Sequence, residues 1–522
     1  MLKLTDQQHR NLAFWGLALI ALGLPLSGPM ISIGTILLAV NWLLEGNYRS
    51  RLQQFFKDPL SLIIVSVFLW YLVGMLYTEN FAQGLKDLRI KLPILLLPLF
   101  LFTSKLPDKK RLQDVLMLFV VGCVIGTVLG TIHYLGFTNE DVANKRELSV
   151  LISHIRFSLM ITFAIFILAY YVAKHWKDWS VTERGLTVIS ICWLFFFMVL
   201  LEAATAYLAF SVLISLTLLR LLFKSRKAHL KLLIACLILT GAVGTLLYAN
   251  SIYKNHISEV PSDYRTLTVK TLNGNYYAHQ KDVPYRENGH RVWNFVCLKE
   301  LEQSWPAKSD VPFDGFDQRG QPIKFTAIRY MASLGLRKDS AALTQLTPLD
   351  LSNIERGFTN YKYTGKWGVS RRLAQFLWEL EEYEYNKNAN HSSLLQRWVY
   401  FKVGLSIISK NLLFGVGTGD IANKYNEAYS MNDYGLLPEL HAISHNQFLT
   451  VAVVLGIVGL VGFVVALGFP FLLYYKDYLY LMFFALMASS FMTDNTLDSQ
   501  AGATLFAFFN ALLIVRKEFE DE

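Results

Sequence analysis

Apolar residues in this chain are gathered into long blocks. They run approximately over 11–27, 30–45, 59–77, 90–103, 113–136, 156–174, 185–201, 203–223, 231–249, 446–473, 478–493 and 501–515. Each block is about 15–25 residues long and is bounded by short charged stretches, the pattern of membrane-spanning helices. About twelve spans are expected, the fourth and the last being short. The segment from about Asn250 to Ser444 breaks this pattern: it is polar, aromatic and mixed in charge. It is too long for a passive connection and is expected to fold. Its first half, "RTLTVKTLNGNYYAHQKDVPYRENGHRVWNFVCLKEL", alternates and carries turn residues, which predicts short strands. Its second half predicts helices in "SRRLAQFLWELEEYEYNK" and in "SSLLQRWVYFKVGLSIISKNLLFGVG", the latter amphipathic.

The expected fold class is therefore an all-α integral membrane protein with one large mixed α/β extracytoplasmic loop between helices 9 and 10. The expected organisation is residues 1–249 for helices 1–9, 250–444 for the outer loop, and 445–522 for helices 10–12. The N-terminus has a charged start and an apolar core but no clean small-residue cleavage site, so it is read as a retained first helix.

Composition strengthens this picture. The chain is 53% hydrophobic and only 17% charged, where a soluble chain would carry about a quarter charged residues. The net charge of +9 is then a matter of topology rather than of nucleic-acid binding. Alternate loops, "EGNYRSRLQQFFKD", "TSKLPDKKRLQD", "KHWKDWSVTERG" and "KSRKAHLK", are basic, which predicts a cytoplasmic location for them and for both termini. Cys123, Cys192 and Cys236 lie in apolar blocks, Cys297 stands alone in the polar segment, and no disulfide framework is implied.

Candidate chemistry is sparse. "FGVGTGD" contains Gly415, Gly417 and Gly419. It follows a predicted helix rather than a strand and has no Lys-Ser/Thr pair, so it reads as a glycine stop at a helix end, not a phosphate loop. No metal or hydrolase motif is present, and neither a metal nor another cofactor is expected. Basic residues on the outer side carry more information. Lys86, Arg89 and Lys91 precede the fourth span, Arg156 opens the sixth, Arg397 sits in "LLQRWVYF", and His445 opens the tenth. Lys86 and Lys91 read as anchors to lipid headgroups. Arginines at membrane depth suit an anion arriving through the bilayer, such as a lipid-linked diphosphate, because the guanidinium binds phosphate oxygens in pairs and stays charged when desolvated. A nearby histidine can take a proton near neutral pH.

At this point the chain resembles a known family. "SHNQFLTVAVVLGIVGLVGFV" resembles the signature of the O-antigen ligase and O-antigen polymerase (Wzy_C-type) superfamily of bacterial membrane glycosyltransferases. "RWVYFKVGLSIISKNLLFGVGTGD" is similar to its second hallmark, and "LKDLRIKLPILLLPLFLF" to its segment around the fourth span. The resemblance implies a metal-independent, inverting enzyme of the inner membrane. It would move a glycan from undecaprenyl diphosphate to lipid A–core or another glycan acceptor on the periplasmic face. By the same resemblance His445 is the catalytic base, Arg397 meets the donor diphosphate, and Asp494 or Asp498 matches an acidic position; Arg156 is the candidate for a second phosphate-binding arginine, with Arg89 assigned to the same diphosphate and Asn446 as a further possible support. The chain departs from the family at "LEAATAYLAF", where Glu202 stands and an arginine is usual. Ligase, polysaccharide polymerase and protein O-glycosyltransferase remain open within this class. A polytopic transporter or flippase is the alternative from another class, although the spans contain almost none of the mid-depth charges common in transporters.

Overall fold

The computed structural model describes residues 4–136, 148–258, 269–280, 282–364, 368–390 and 392–521. The helices, in chain order, begin with α1 (Asp6–Leu26), α2 (Gly28–Glu45), α3 (Tyr48–Lys57), α4 (Pro59–Gly74), α5 (Phe81–Thr103), α6 (Lys109–Tyr134) and α7 (His154–His175). They continue with α8 (Val181–Leu200), α9 (Ala204–Lys224), α10 (Ala228–Ile257), α11 (Leu298–Ser304), α12 (Ile323–Ser333), α13 (Ser340–Leu343) and α14 (Pro348–Glu355). The last are α15 (Gly368–Asn386), α16 (Ser393–Lys410), α17 (Ile421–Met431), α18 (Gln447–Tyr474), α19 (Tyr478–Thr493) and α20 (Gln500–Asp521). Each of the twelve apolar blocks falls within one of these helices or at its edge. Among the described residues, eight helices are long and apolar enough to cross a membrane: α2, α4 with its short extension to Tyr77, α6 to α10, and α18. The helices α1, α5, α19 and α20 hold the other four blocks.

Local chemistry sets the helix starts. Asp58 caps α4 by accepting from Leu60 N and Ser61 N, with Pro59 in the first turn. Asp108 caps α6, Asp477 caps α19, and Ser180 forms a capping box with Glu183 at α8.

The chain divides into two compact units. The first holds residues 1–227, 400–433 and 441–522, and the second holds 228–399 and 434–440. Packing, rather than the expected boundary of the outer loop, draws these lines. In the first unit α20 is enclosed, with Phe506, Phe508, Phe509 and Leu512 buried. Rings of Phe119, Phe163, Phe483 and Phe509 stack edge to face or tilted around it at 4.8–6.2 Å. Leu219, Leu221, Leu208 and Phe223 of α9 are instead exposed, which is costly in water and neutral in lipid.

The glycine stretch "FGVGTGD" is not the helix stop expected from the sequence. α16 ends at Lys410, and residues 411–420 run on as an irregular loop packed into α18. There α18 is broken at Gly456, whose φ of 67° and ψ of −168° suit glycine. The break leaves backbone groups without helical partners, and the loop supplies them. Val416 N donates to Val453 O at 2.9 Å, Gly417 N to Val454 O at 3.0 Å, and Ile457 N to Leu412 O at 2.8 Å. Irregular backbone at membrane depth is tolerated in this way, enclosed by protein. Asp420 anchors the loop by accepting from Thr78 Oγ1 at 2.7 Å and from Glu79 N and Asn80 N at 2.8 Å.

The second unit has its own core around Trp305, Tyr330, Ile328, Met331 and Leu301. The predicted strands are much reduced. Among the described residues only β1 (Arg286–Glu287) and β2 (His290–Arg291) pair, joined by Asn288 and Gly289 at φ 51° and 89°, the Asn-Gly turn of a tight hairpin. Isolated bridges such as Ala278–Val296 add to the pairing, and residues 265–268 and 281 of the predicted strand segment lie outside the described residues. The physical reason is packing. The large side chains of this stretch, Tyr285, Val292 and Val296, bury against helical residues, so no extended face remains for a sheet to cover.

Candidate functional site

The site grows from the start of α18. Asn446 is extended (φ −150°, ψ 117°), and its side chain accepts from Leu449 N at 2.9 Å, so the helix begins immediately after it. Its amide donates to Met492 O at 3.2 Å. One residue on, Gln447 is fully buried and accepts from Leu497 N through Oε1 at 2.8 Å. Thr450 Oγ1 lies 3.0 Å from Asn495 Oδ1. Three side chains at the start of α18 thus pin the turn after α19, and that turn carries Asp494.

The pinning brings a histidine, a carboxylate and a guanidinium together. His445 Nδ1 is 3.6 Å from Asp494 Oδ1, and Arg156 Nη2, from the first turn of α7, is 3.7 Å from Asp494 Oδ2. Asp494 is nearly enclosed, with 10% of its side chain exposed, whereas His445 keeps 39% of its own open. Burial alone would raise the Asp494 carboxyl. The adjacent His445 ring and the Arg156 charge outweigh it and hold the group below its ordinary value. The Arg156 Nε is buried and has no partner among the described residues. The ring of Tyr400 lies 5.8 Å from that of His445.

The arrangement has a definite chemical capacity. A carboxylate facing Nδ1 favours the tautomer with its proton there, leaving the Nε2 lone pair free as a base. Arg156 keeps the carboxylate ionised and can share its remaining donors with a second anion. Among the described residues, no three His, Cys, Asp or Glu side chains gather as a metal-binding group.

The other expected residues fall as follows. Asp498 pairs with Lys91, Nζ to Oδ1 at 2.8 Å. Lys91 is 2% exposed and lies over the Tyr71 ring at 4.5 Å. The headgroup-anchor reading of Lys91 is thereby corrected: the charge is held inside the bundle by a carboxylate about 400 residues away in sequence, while Lys86 is exposed as expected. Arg89 is exposed on α5, two residues before Lys91. Arg397 lies half-exposed on α16 within the second unit. His441 stacks on Tyr429 with centroids 4.0 Å apart, and the Tyr429 hydroxyl donates to Ala442 O at 2.9 Å. Glu202 adopts a positive φ of 49° in the α8–α9 turn.

Sequence reasoning missed the contributions of Lys91, Gln447 and Tyr400. For Lys91 and Gln447 a signal existed, a cation and an amide at the ends of apolar stretches, where an unpaired polar group is costly. Tyr400 carried none, because an aromatic at helical spacing is ordinary core material.

Residues 368–464 match the family model Wzy_C, O-antigen ligase. The matched span runs from α15 through α16, the glycine loop and α17 into α18, and includes Arg397 and His445. It bears out the resemblance carried by the "RWVYF" and "SHNQF" stretches. No curated protein matches the chain.

Proposed function

We propose that this chain is an O-antigen-ligase-like, inverting glycosyltransferase of the bacterial inner membrane, both termini cytoplasmic. It takes a glycan from undecaprenyl diphosphate and joins it to lipid A–core on the periplasmic face. The observation that carries the reading is the His445–Asp494–Arg156 cluster, whose histidine opens a helix inside the O-antigen ligase match.

The step balances as a single displacement. The acceptor hydroxyl oxygen bonds to the anomeric carbon of the donor sugar, and the bond from that carbon to the diphosphate oxygen breaks. His445 Nε2 takes the hydroxyl proton while Asp494 holds the ring by its Nδ1 side and favours the imidazolium as it forms. Undecaprenyl diphosphate leaves with the electron pair, and the proton passes to solvent. Arginine offsets the charge that develops on the leaving group. Arg156, whose Nε has no partner among the described residues, is suited to this; Arg397 is assigned to the diphosphate by the family resemblance, and Arg89 is a further candidate. The leaving group is already good, so positioning and charge neutralisation suffice, and the reaction is proposed to need no metal.

The test is genetic and biochemical together. Deleting the gene should leave lipid A–core without long glycan while carrier-linked glycan accumulates. Purified protein in excess chelator should restore transfer between those two substrates. Full-length glycan on lipid A–core in the deletion strain would overturn the ligase reading. Growth of free, carrier-linked polymer by the purified protein would point to a polymerase instead.

A further inference from the structure

The second unit contains a cavity of about 480 Å³, within the range of about 300–1,000 Å³ typical of small-ligand sites. Its walls come from the hairpin turn, α12, the stretch 357–363, α15 and the end of α10. The transfer chemistry above uses none of these residues.

The lining is built rather than incidental. Arg329 donates to Glu287 Oε1 through Nε at 2.9 Å and Nη2 at 2.8 Å, and its guanidinium lies over the Trp378 ring at 3.7 Å. Asn360 donates to the other Glu287 oxygen at 2.6 Å. Arg319 lies over the Phe358 ring at 4.4 Å. These stacks lock long side chains whose free rotamers would otherwise oppose binding. One aromatic is left open: Phe325 is 45% exposed and packs edge-on to Trp293 at 6.0 Å.

The chemistry selects a class of ligand. The walls mix cations and amides with carboxylates, Glu287, Glu379 and Glu382 among the latter, and Glu287 and Glu379 already accept from Arg329, Asn360 and Gln375. A polyanion would use the donors and be repelled by the carboxylates. A peptide would leave many of these groups unmatched. Hydroxyl groups donate and accept at once, so they satisfy both. An open aromatic ring adds a flat apolar surface of the kind that the C–H face of a pyranose covers.

We propose that this cavity is a saccharide-binding site, a second glycan contact of the chain outside its transfer chemistry. It does not depend on the transfer reading, because binding is measured without turnover.

The experiment uses detergent-solubilised full-length protein on an array of bacterial oligosaccharides of known structure. Phe325→Ala and Glu382→Gln, both on the cavity wall, are compared with wild type and with His445→Ala. Wild type should retain at least one oligosaccharide. Each wall variant should lose it by tenfold or more in affinity, and His445→Ala should keep it. Thermal unfolding of each variant should remain within a few degrees of wild type. Retention by no oligosaccharide, or undiminished retention by both wall variants, would overturn the proposal. Loss in His445→Ala with retention in the wall variants would also overturn it, by assigning the sugar to the transfer site.

Discussion

His445 and Asp494 stand 49 positions apart in the chain, yet Nδ1 of the one lies 3.6 Å from Oδ1 of the other. The carboxylate is nearly buried and the ring is partly open. On the proposed reading that inequality matters for chemistry: the buried partner orients, and the open one is placed to meet substrate.

His445 is expected to be indispensable for transfer. Loss of a general base typically costs about 10²–10⁴-fold in rate, so His445→Ala should show almost no single-turnover transfer at matched protein amounts. His441→Ala removes a ring stacked on Tyr429 and should stay within a few-fold of wild type. Equal rates for His445→Ala and wild type would remove the base from the mechanism.

Asp494→Asn keeps shape and removes charge. It should lower transfer by roughly 10-fold or more, because the amide no longer favours the productive tautomer. The Asp494 carboxyl sits below its ordinary value. A depressed carboxyl contributes stability that is present above its unfolded value and is lost as pH falls through the folded one. Wild type should therefore lose more stability than Asp494→Asn on acidification below the ordinary carboxylate range. Parallel unfolding curves for the two proteins at low pH would contradict this.

Arg397 is a test of geometry rather than of charge. Arg397→Lys retains the positive charge but not the paired donors, and should impair transfer strongly; Arg397→Ala should do at least as much harm. Arg156→Ala should behave likewise and lower affinity for the lipid-linked donor. Near-normal transfer by Arg397→Ala, in protein that is inserted and folded, would free Arg397 from the donor site.

Gly456→Ala should destabilise the first unit. A Cβ there would overlap Leu413 and Phe414 of the inserted loop, and the backbone lies where side chains are strained. Strain of this kind costs roughly 1–3 kcal/mol before any overlap is counted. Gly468→Ala, on the same helix with open space around it, should be neutral or slightly stabilising. Thermal unfolding in detergent separates them, and similar midpoints would show that the break in α18 is not required.

Lys338 gives the second unit a pH dependence of the same sense in a higher pH window. The residue is 2% exposed, its ammonium donates to Asn294 O at 2.9 Å and to Arg291 O at 3.2 Å, and burial pulls its pKa down to about 7 from 10.5. Between those values the unfolded chain binds a proton that the folded one does not, so stability rises with pH there. Hydrogen-exchange protection of α12, corrected for intrinsic rates, should increase from pH 7 to 9 in wild type. The increase should vanish in Lys338→Met.

The chain's own pattern of apolar blocks determined that it is helical and where each long helix lies. Runs of this length bury or face lipid whatever their neighbours are, and Asn446 or Asp58 sets a helix start through a hydrogen bond only three residues long. The "SHNQF" and "RWVYF" stretches likewise declared their kinship locally, and His445 was legible as a polar group at the mouth of an apolar run. Tertiary structure alone decided the rest. It set Asp494 between His445 and Arg156, paired Lys91 with Asp498, and drove the "FGVGTGD" loop into the gap opened by Gly456. These outcomes depend on which helix ends meet. Apolar stripes dictate that helices pack, but a stripe carries little record of its partner, so the contacts between distant polar residues appear only once the bundle has formed.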